Sequence, residues 1–196
     1  MHGNNPMNTR GLFGQGIWYG TENVEDGLSN TVAMSEFLRQ GWASMTVSTA
    51  KTIDHRLGIA MNLSGISSSP PIVAYSVTDG KYFLPGISGL HRRGSRWVRG
   101  NVAIVGINTI IPPNGPCVGE DPNGGTTVTQ GFLPPGSGHP GGVNVLFGDG
   151  SVRFISNTID TGNLGQASSN TYYGPSYYGV WGALGSKAGG ESVAIP

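Results

Sequence analysis

The sequence predicts an α+β fold that is mainly β, an antiparallel sheet with long loops. Glycine and proline are abundant, at 34 and 13 of 196 residues, and favour turns over helices. Three Asp-Gly pairs mark tight turns between extended segments. Four Trp and an aromatic content of 9% supply a core, which argues against disorder. The length suits a single domain, residues 1–196.

The N-terminal half predicts short strands. TVAMSEFLRQ (31–40) is compatible with a helix, but Val32, Met34 and Glu36 alternate and β-branched residues open the run. A strand that follows the turn DGLSN (26–30) is therefore favoured. Residues 43–63 mix short strand-like pieces with a helical turn near residues 54–57.

The middle of the chain predicts further strands and a long loop. Residues 70–83 predict a hairpin that turns at Asp79-Gly80. Residues 96–111 predict another strand or pair of strands. Residues 112–142 are rich in Pro, Gly and Asn and predict one long loop, either functional or held by a partner.

The clearest local prediction is a hairpin in HPGGVNVLFGDGSVRFI (139–155). The side chains of the first strand alternate, with the apolar set at residues 143, 145 and 147 pointing one way. Asp149-Gly150 makes a two-residue turn, and Val152 and Phe154 return on an apolar face. Five extended steps of about 3.3 Å separate the strand ends by roughly 17 Å. His139 and Asp149 are therefore predicted not to share one ligand.

Charge and cysteine content exclude several classes of protein. Eleven basic and 11 acidic residues give a net charge of +0, which predicts no nucleic-acid partner. One local exception is a cluster of four arginines around Trp97: Arg92, Arg93, Arg96 and Arg99. The favoured interpretation is a solvated turn and strand, and the alternative is a contact for an anion or a nucleic acid. Cys117 is the only cysteine, so no intrachain disulfide forms, and its Pro/Gly loop offers no base.

Targeting signals are not recognised in the sequence. The N-terminal residues 1–16 have no apolar segment of the kind that a signal peptide requires. The longest apolar-rich run, residues 102–111, is too short and too polar to span a bilayer. The chain as written is expected to be soluble and to make no membrane contact.

Four separated blocks together resemble a known bacterial family. They are EDGLSNTVAMSE (25–36), WVRGNVAIVGINTIIPPNGPC (97–117), HPGGVNVLFGDGSVRFI (139–155) and VWGALGSKAGGESV (180–193). They are similar to the prepilin-like family with the processing-associated "His, nine residues, Asp-Gly" domain. His139 and Asp149-Gly150 fit that spacing, and the blocks occur in the family's order from about residue 10 onwards.

The resemblance implies the globular head of a type IV pilin or type II secretion pseudopilin. Such a head is an antiparallel sheet with long loops. The implied partners are other pilin-like subunits or proteins of a secretion or surface apparatus, at the cell surface or in the periplasm. Family members begin with a cleavable leader and a long apolar helix. This sequence shows neither, so it is expected to be a fragment or a chain without its anchor.

The resemblance also implies a calcium ion in a loop, held by carboxylates and backbone carbonyls. The candidate ligands are Asp149, Asp121, Asp160 and Glu120, with Asp79 and Asp26 behind them. Calcium takes six to eight oxygens, and the chain has only 11 carboxylate side chains. Any site would therefore also use backbone and Asn oxygens. For a single Asp-Gly pair, ordinary turn chemistry is the favoured interpretation.

The alternative function is a metal-dependent hydrolase of small esters or lactones. His139 is the candidate general base among the four histidines, and the carboxylates would hold the metal. Its plainer interpretation is a hydrogen bond to a backbone carbonyl. His55 follows Asp54 directly, and neighbours in an extended chain point apart. No G-x-S-x-G motif is present, so a serine hydrolase is disfavoured.

Aromatic residues cluster near the C-terminus. They are Tyr172, Tyr173, Tyr177, Tyr178 and Trp181. Two interpretations are open: a surface that contacts a glycan, a lipid or a neighbouring subunit, or a loop that folds back and buries the rings.

Overall fold

The computed structural model describes residues 9–14, 16–39, 43–46, 53–61, 63–91, 93–96, 98, 100–120, 128, 130–168 and 173–191. The strands are β1 Val32–Ser35, β2 Ala43–Thr46, β3 Ile59–Ala60, β4 Ser88–His91, β5 Val118–Glu120, β6 Gln130–Phe132, β7 Gly142–Phe147 and β8 Val152–Ser156. The α-helices are α1 Val102–Val105 and α2 Gly179–Leu184. The 3₁₀ helices within the described residues are Thr21–Asn23, Leu28–Asn30, His55–Leu57, Ile66–Ser68 and Pro71–Val77. The predicted α+β, mainly β class is confirmed.

The strands form two sheets, where the sequence predicts one. The first has three strands in the order β1-β7-β8, all antiparallel. The second has five strands in the order β2-β4-β3-β5-β6. In the second sheet β3 and β5 are parallel, and the other neighbours are antiparallel.

The three-stranded sheet buries one face. Val143, Val145 and Phe147 of β7 and Ile155 of β8 point inward and are at most 1% exposed. Strand residues alternate between the two faces of a sheet, so this apolar set lies on one side. Trp181 of α2 packs against the same face and is fully buried. The predicted strand in residues 31–40 and the predicted hairpin are therefore both present.

The five-stranded sheet packs against the 3₁₀ helices and loops. Its main buried cluster is Ala60, Ile66, Ala74, Val77, Phe83, Ile111, Val118 and Phe132. The indole Nε1 of Trp181 donates to the backbone oxygen of Ile111 at 2.9 Å. That bond joins the cores of the two sheets.

The predicted strand before Asp79 is wrong. Residues Pro71–Val77 form a 3₁₀ helix that begins with proline at its first position. Proline has no N–H for a strand ladder, and its fixed φ suits the start of a helix. The turn itself is present, because Thr78 and Phe83 form an isolated bridge across Asp79 and Gly80.

Two further predictions need correction. Within residues 96–111 the described structure is the helix α1, because the Asn101 side chain accepts from the backbone N–H of Ala103 at 2.9 Å and caps the turn. Residues 112–142 are not one long loop, because β5 and β6 lie within them and pair with each other. Short strands flanked by Gly and Pro carry too little alternation to be seen in the sequence.

The turn of the β7–β8 hairpin also differs from the prediction. The backbone N–H of Phe147 donates to the oxygen of Ser151 at 2.9 Å, so the connection has three residues, 148–150. Gly150 has a φ of 87°, whereas Asp149 is not among the described residues with positive φ. A three-residue loop with glycine in the left-handed region replaces the predicted type I′ turn.

Among the described residues, no helix has the length and apolar content needed to cross a bilayer.

Candidate functional site

His139 and Asp149 lie at opposite ends of β7, as the strand length predicts. His139 precedes the strand, and its backbone N–H donates to Ser137 Oγ at 3.0 Å. Asp149 lies in the turn, where its Oδ1 accepts from the N–H and the hydroxyl of Ser151 at 2.9 and 2.7 Å. These hydrogen bonds lower the pKa of Asp149 below its ordinary value. Each residue therefore has its own local environment.

His139 instead faces Glu36, which follows β1. Its Nε2 lies 3.6 Å from Glu36 Oε2, and both side chains are partly exposed. The other oxygen, Oε1, accepts from the backbone N–H of Asn144 at 2.7 Å and from its side-chain Nδ2 at 3.3 Å. Because β7 holds the Glu36 carboxylate in this way, the carboxylate is fixed in front of the imidazole. Glu36 is not among the site residues predicted from the sequence, although it ends the block 25–36.

The predicted metal ligands that the structure describes do not group together; they are Asp149, Asp160 and Glu120. Glu120 accepts from the backbone N–H groups of Gly65 and Ile66 at 2.8 and 2.9 Å and holds the start of a 3₁₀ helix. Asp160 accepts from Gly162 N–H at 2.8 Å, and its backbone oxygen accepts from Trp181 N–H at 2.9 Å. Asp121 lies outside the described residues. Among the residues that the structure describes, no three His, Cys, Asp or Glu side chains group together where a metal ion could be held.

The two remaining acidic candidates also bind backbone. The Asp26 carboxylate accepts from the N–H groups of Gly189 and Gly190 at 2.6 and 2.8 Å and ties the N-terminal segment to the C-terminal one. Asp79 Oδ1 accepts from the N–H groups of residues 81 and 82 at 2.9 and 2.7 Å. Ordinary turn chemistry, the favoured interpretation of these Asp-Gly pairs, accounts for the contacts of Asp79. It does not account for those of Asp26, which join segments 163 residues apart.

His55 is buried, and hydrogen bonds at both of its ring nitrogens hold loops together. Its Nδ1 lies 3.0 Å from Thr78 Oγ1, and its Nε2 lies 2.9 Å from the backbone oxygen of Asn114. Its ring also meets Phe83 edge-on, with centroids 6.4 Å apart. With both nitrogens occupied, His55 has no free atom for catalysis.

The arginine cluster is not a uniform surface patch. Arg93 is 2% exposed, and its guanidinium donates to Cys117 Sγ and to the backbone oxygens of Pro134 and Gly106. The interpretation of Arg93 as part of a solvated turn was therefore wrong. Burial raises the pKa of the Cys117 thiol and outweighs the opposing charge of Arg93. Arg92, Trp97 and Arg99 lie outside the described residues.

The C-terminal aromatic cluster is divided between core and surface. Trp181 is buried, whereas Tyr173 and Tyr177 are 59% and 49% exposed. Tyr178 is buried and donates to the backbone oxygen of Gln166 at 3.1 Å. Burial raises the pKa of Tyr178 to about 12. Tyr172 lies outside the described residues.

The outer face of the three-stranded sheet is apolar and open to solvent. Met34 of β1 and Val152 and Phe154 of β8 are 50–63% exposed, and Leu146 of β7 lies between them. A shallow groove runs over this face beside Glu36. The prediction that Val152 and Phe154 line a buried face is wrong. Arg153 and Ile155, which alternate with them along β8, point inward instead. Exposed apolar residues that adjoin one another mark contact sites more often than isolated ones do.

A comparison with known protein families identifies the family of this chain. Residues 1–162 match SBP_bac_10, described as a protein of unknown function (DUF1559). The chain belongs to this family. The matched range contains both sheets, including β7, β8 and the face that Met34 and Phe154 share. No curated protein matches the chain, and no solved structure matches it.

Proposed function

We propose that this chain is a structural or interaction subunit, similar to the head of a type IV pilin or a type II secretion pseudopilin. The observation that carries the proposal is the outer face of the three-stranded sheet, defined by Met34, Leu146, Val152 and Phe154. Three of these side chains are at least half exposed although they are apolar. The sequence blocks that resemble prepilin-like proteins include β1, β7 and β8.

The chemistry of the face suits another protein subunit. An apolar centre with a polar rim is the usual composition of a protein contact surface. Here the rim is formed by Glu36 and Asn144, which are joined to each other by hydrogen bonds. The occupant that we propose is a pilin-like subunit that presents a matching apolar surface.

Photo-crosslinking in the producing cell tests this proposal. A photoreactive amino acid is placed at Met34 or at Leu146, and cross-linked products are identified by mass spectrometry. The control position is Ile72, which is also apolar and 51% exposed but lies in a 3₁₀ helix outside this sheet. We expect products with pilin-like subunits from Met34 and Leu146 and not from Ile72. Equal yields at all three positions would contradict the proposal.

Stabilisation by calcium stays a prediction, since Asp121 lies outside the described residues. A thermal melt with calcium and with excess chelator measures it. Binding to the folded state alone raises the melting temperature. An unchanged midpoint at millimolar calcium would remove the ion from the proposal.

A second candidate function rests on the pair of His139 and Glu36. A base that is oriented by a carboxylate is the arrangement that activates a nucleophile or water in hydrolases. The candidate reaction is the hydrolysis of small esters or lactones. It requires turnover that is lost in His139→Ala and reduced in Glu36→Gln, and the metal-dependent form requires loss with chelator. An absence of turnover in the unsubstituted protein across an ester and lactone panel would end this candidate.

A further inference from the structure

The edge of β8 supports a further inference about the partner of this chain. This inference rests on the proposed subunit function. β8 is the last strand in its sheet, and only β7 pairs with it among the described residues. Edge strands expose unpaired backbone groups that can bind another strand. Proteins block such edges with charges, prolines or bulges.

The hydrogen-bond pattern shows which groups of β8 face outward. Phe147 N–H donates to Ser151 at one end of the ladder, and Asn157 N–H donates to Gly141 at the other. Bonded pairs alternate in an antiparallel ladder, so residues 153 and 155 direct their backbone groups to β7. The N–H and C=O groups of Val152 and Phe154 therefore point away from the sheet, and none of them has a backbone partner within the described part of the chain.

The side chains that the structure describes around β8 leave this edge open. A Cβ added to Gly142 would lie 2.7 Å from the Phe154 ring, so the ring leans over β7 and away from the edge. The Arg153 guanidinium lies 4.6 Å from the centre of the Phe147 ring, which draws its charge toward the inner face. By contrast, the opposite edge strand β1 has an irregular register between Val32 and Met34. Bulges of this kind discourage edge pairing, and the register of β8 has none.

We propose that β8 pairs with β8 of a second copy of this chain, antiparallel and centred on Phe154. Phe154 is the middle residue of the five-residue strand, and both of its backbone groups point outward. A twofold axis at Phe154 places Val152 opposite Ser156 of the second copy.

Charge supports a second copy as the occupant. In this register Arg153 faces Ile155 of the other chain, so no like charges are opposed. The net charge of +0 also means that two copies do not repel each other as a whole. The pairing would join two three-stranded sheets into one continuous sheet. It would also place the two outer faces side by side, each with its Met34, Leu146 and Phe154.

Cysteine cross-linking tests the register directly. In a bonded antiparallel pair the Cα atoms are about 5.5 Å apart, within the range that a disulfide spans. Native Cys117 is 1% exposed and does not interfere. Under mild oxidation Phe154→Cys should form a linked dimer at least about tenfold faster than Met34→Cys, because pairing raises the effective concentration of the thiols. Met34 is a matched control, since it is 55% exposed against 50% for Phe154 but lies on the opposite edge strand.

A second pair of variants keeps the test decisive if Phe154→Cys does not fold. Val152→Cys and Ser156→Cys should each cross-link slowly alone and rapidly when mixed, because each residue faces the other across the axis. Equal rates for the separate and mixed variants, or no linked dimer in either experiment, would overturn the proposal.

The outcomes also separate this inference from the proposed function. Products with pilin-like subunits from Met34 and Leu146, without any β8 cross-link, would leave the subunit function standing and reject the edge pairing. A β8-linked dimer without those products would show self-pairing and reject the proposed subunit function.

Discussion

The two sheets of this molecule are stabilised in different ways. In the three-stranded sheet, the buried residues of β7 and β8 are apolar and pack on Trp181; they are Val143, Val145, Phe147 and Ile155. The hairpin forms a regular ladder of five residue pairs. This region depends on burial of apolar area and on backbone pairing between strands.

The five-stranded sheet has shorter strands, and polar side chains supply much of what holds it. β3 has only two residues, and β5 and β6 have three each. The buried Arg93 donates to three acceptors, and Glu120 accepts from two backbone N–H groups in the adjacent loop. Where strands are too short to pair all the buried backbone N–H and C=O groups, side chains supply the missing hydrogen bonds. The two regions should therefore respond differently to loss of volume and to loss of polar contacts.

The largest effect is expected from Trp181→Ala, which removes the main apolar contact of the three-stranded sheet. Truncation of a fully buried Trp costs about 3–5 kcal/mol in the free energy of unfolding. Denaturant unfolding measures this loss. Trp181→Phe is the control, since it keeps most of the buried area but loses the bond to Ile111. A cost below about 1 kcal/mol for the Ala variant would contradict the role of burial here.

Arg93→Met is expected to come next and to affect the five-stranded sheet. Methionine fills much of the volume but leaves the oxygens of Pro134 and Gly106 without their donor. Leaving such groups buried and unpaired costs about 1–3 kcal/mol. Chemical denaturation of this variant and of Arg93→Lys measures the loss of stability. Lysine should not restore stability because it lacks the planar guanidinium, which donates in several fixed directions. A Met variant as stable as the unsubstituted protein would mean that burial of the charge costs as much as its bonds contribute.

Glu120→Ala should have a smaller effect. It removes the acceptor of two N–H groups at the start of a 3₁₀ helix, a loss comparable to that of a helix cap at about 1 kcal/mol. Glu120→Gln retains an acceptor oxygen and should lose less. Thermal melts of both variants give the order, and equal losses in Ala and Gln would show that charge matters rather than acceptor geometry.

The smallest expected effect is a pH dependence at Asp54. Partial burial opposes its ionisation, but hydrogen bonds from Arg56, the shortest at 2.5 Å, outweigh burial and lower the pKa of Asp54. A lowered native pKa adds stability above the unfolded value of about 3.9, and this is lost as pH falls through the native pKa. Asp54→Asn should therefore be less stable at pH 7, by below about 1 kcal/mol. The difference in the free energy of unfolding between the variant and the unsubstituted protein should become smaller below pH 4. A difference that grows in acid would contradict a lowered pKa of Asp54.

The sequence predicted the three-stranded sheet better than the five-stranded one. The alternation at residues 143–147 and the glycine at 150 are local signals, so β7, β8 and their turn region could be found. The side that Val152 and Phe154 occupy could not, because both faces of β8 carry apolar residues. Nor could the pairing of β1 with β7, since no local pattern encodes a contact across 108 residues.

The candidate site was predicted only in part. His139 was selected among the four histidines as a residue before Pro140 at the start of a strand, but its neighbour Glu36 directly follows the distant strand β1. The metal candidates were selected from the resemblance to pseudopilins. The same side chains serve loops as acceptors, and composition does not separate the two uses. The burial of Arg93 had no signal at all, because its acceptors are mostly backbone oxygens.

The distance along the chain between β1 and β7 also has a consequence during synthesis. Glu36, beside β1, is 108 residues away from its partner Asn144. At about 5–20 residues per second, β1 therefore leaves the ribosome roughly 5–20 s before β7 can pair with it. Through that interval Val32 and Met34 lack their strand partner. The apolar side chain of Val32, which is buried in the folded protein, is therefore expected to stay exposed until translation has passed the hairpin.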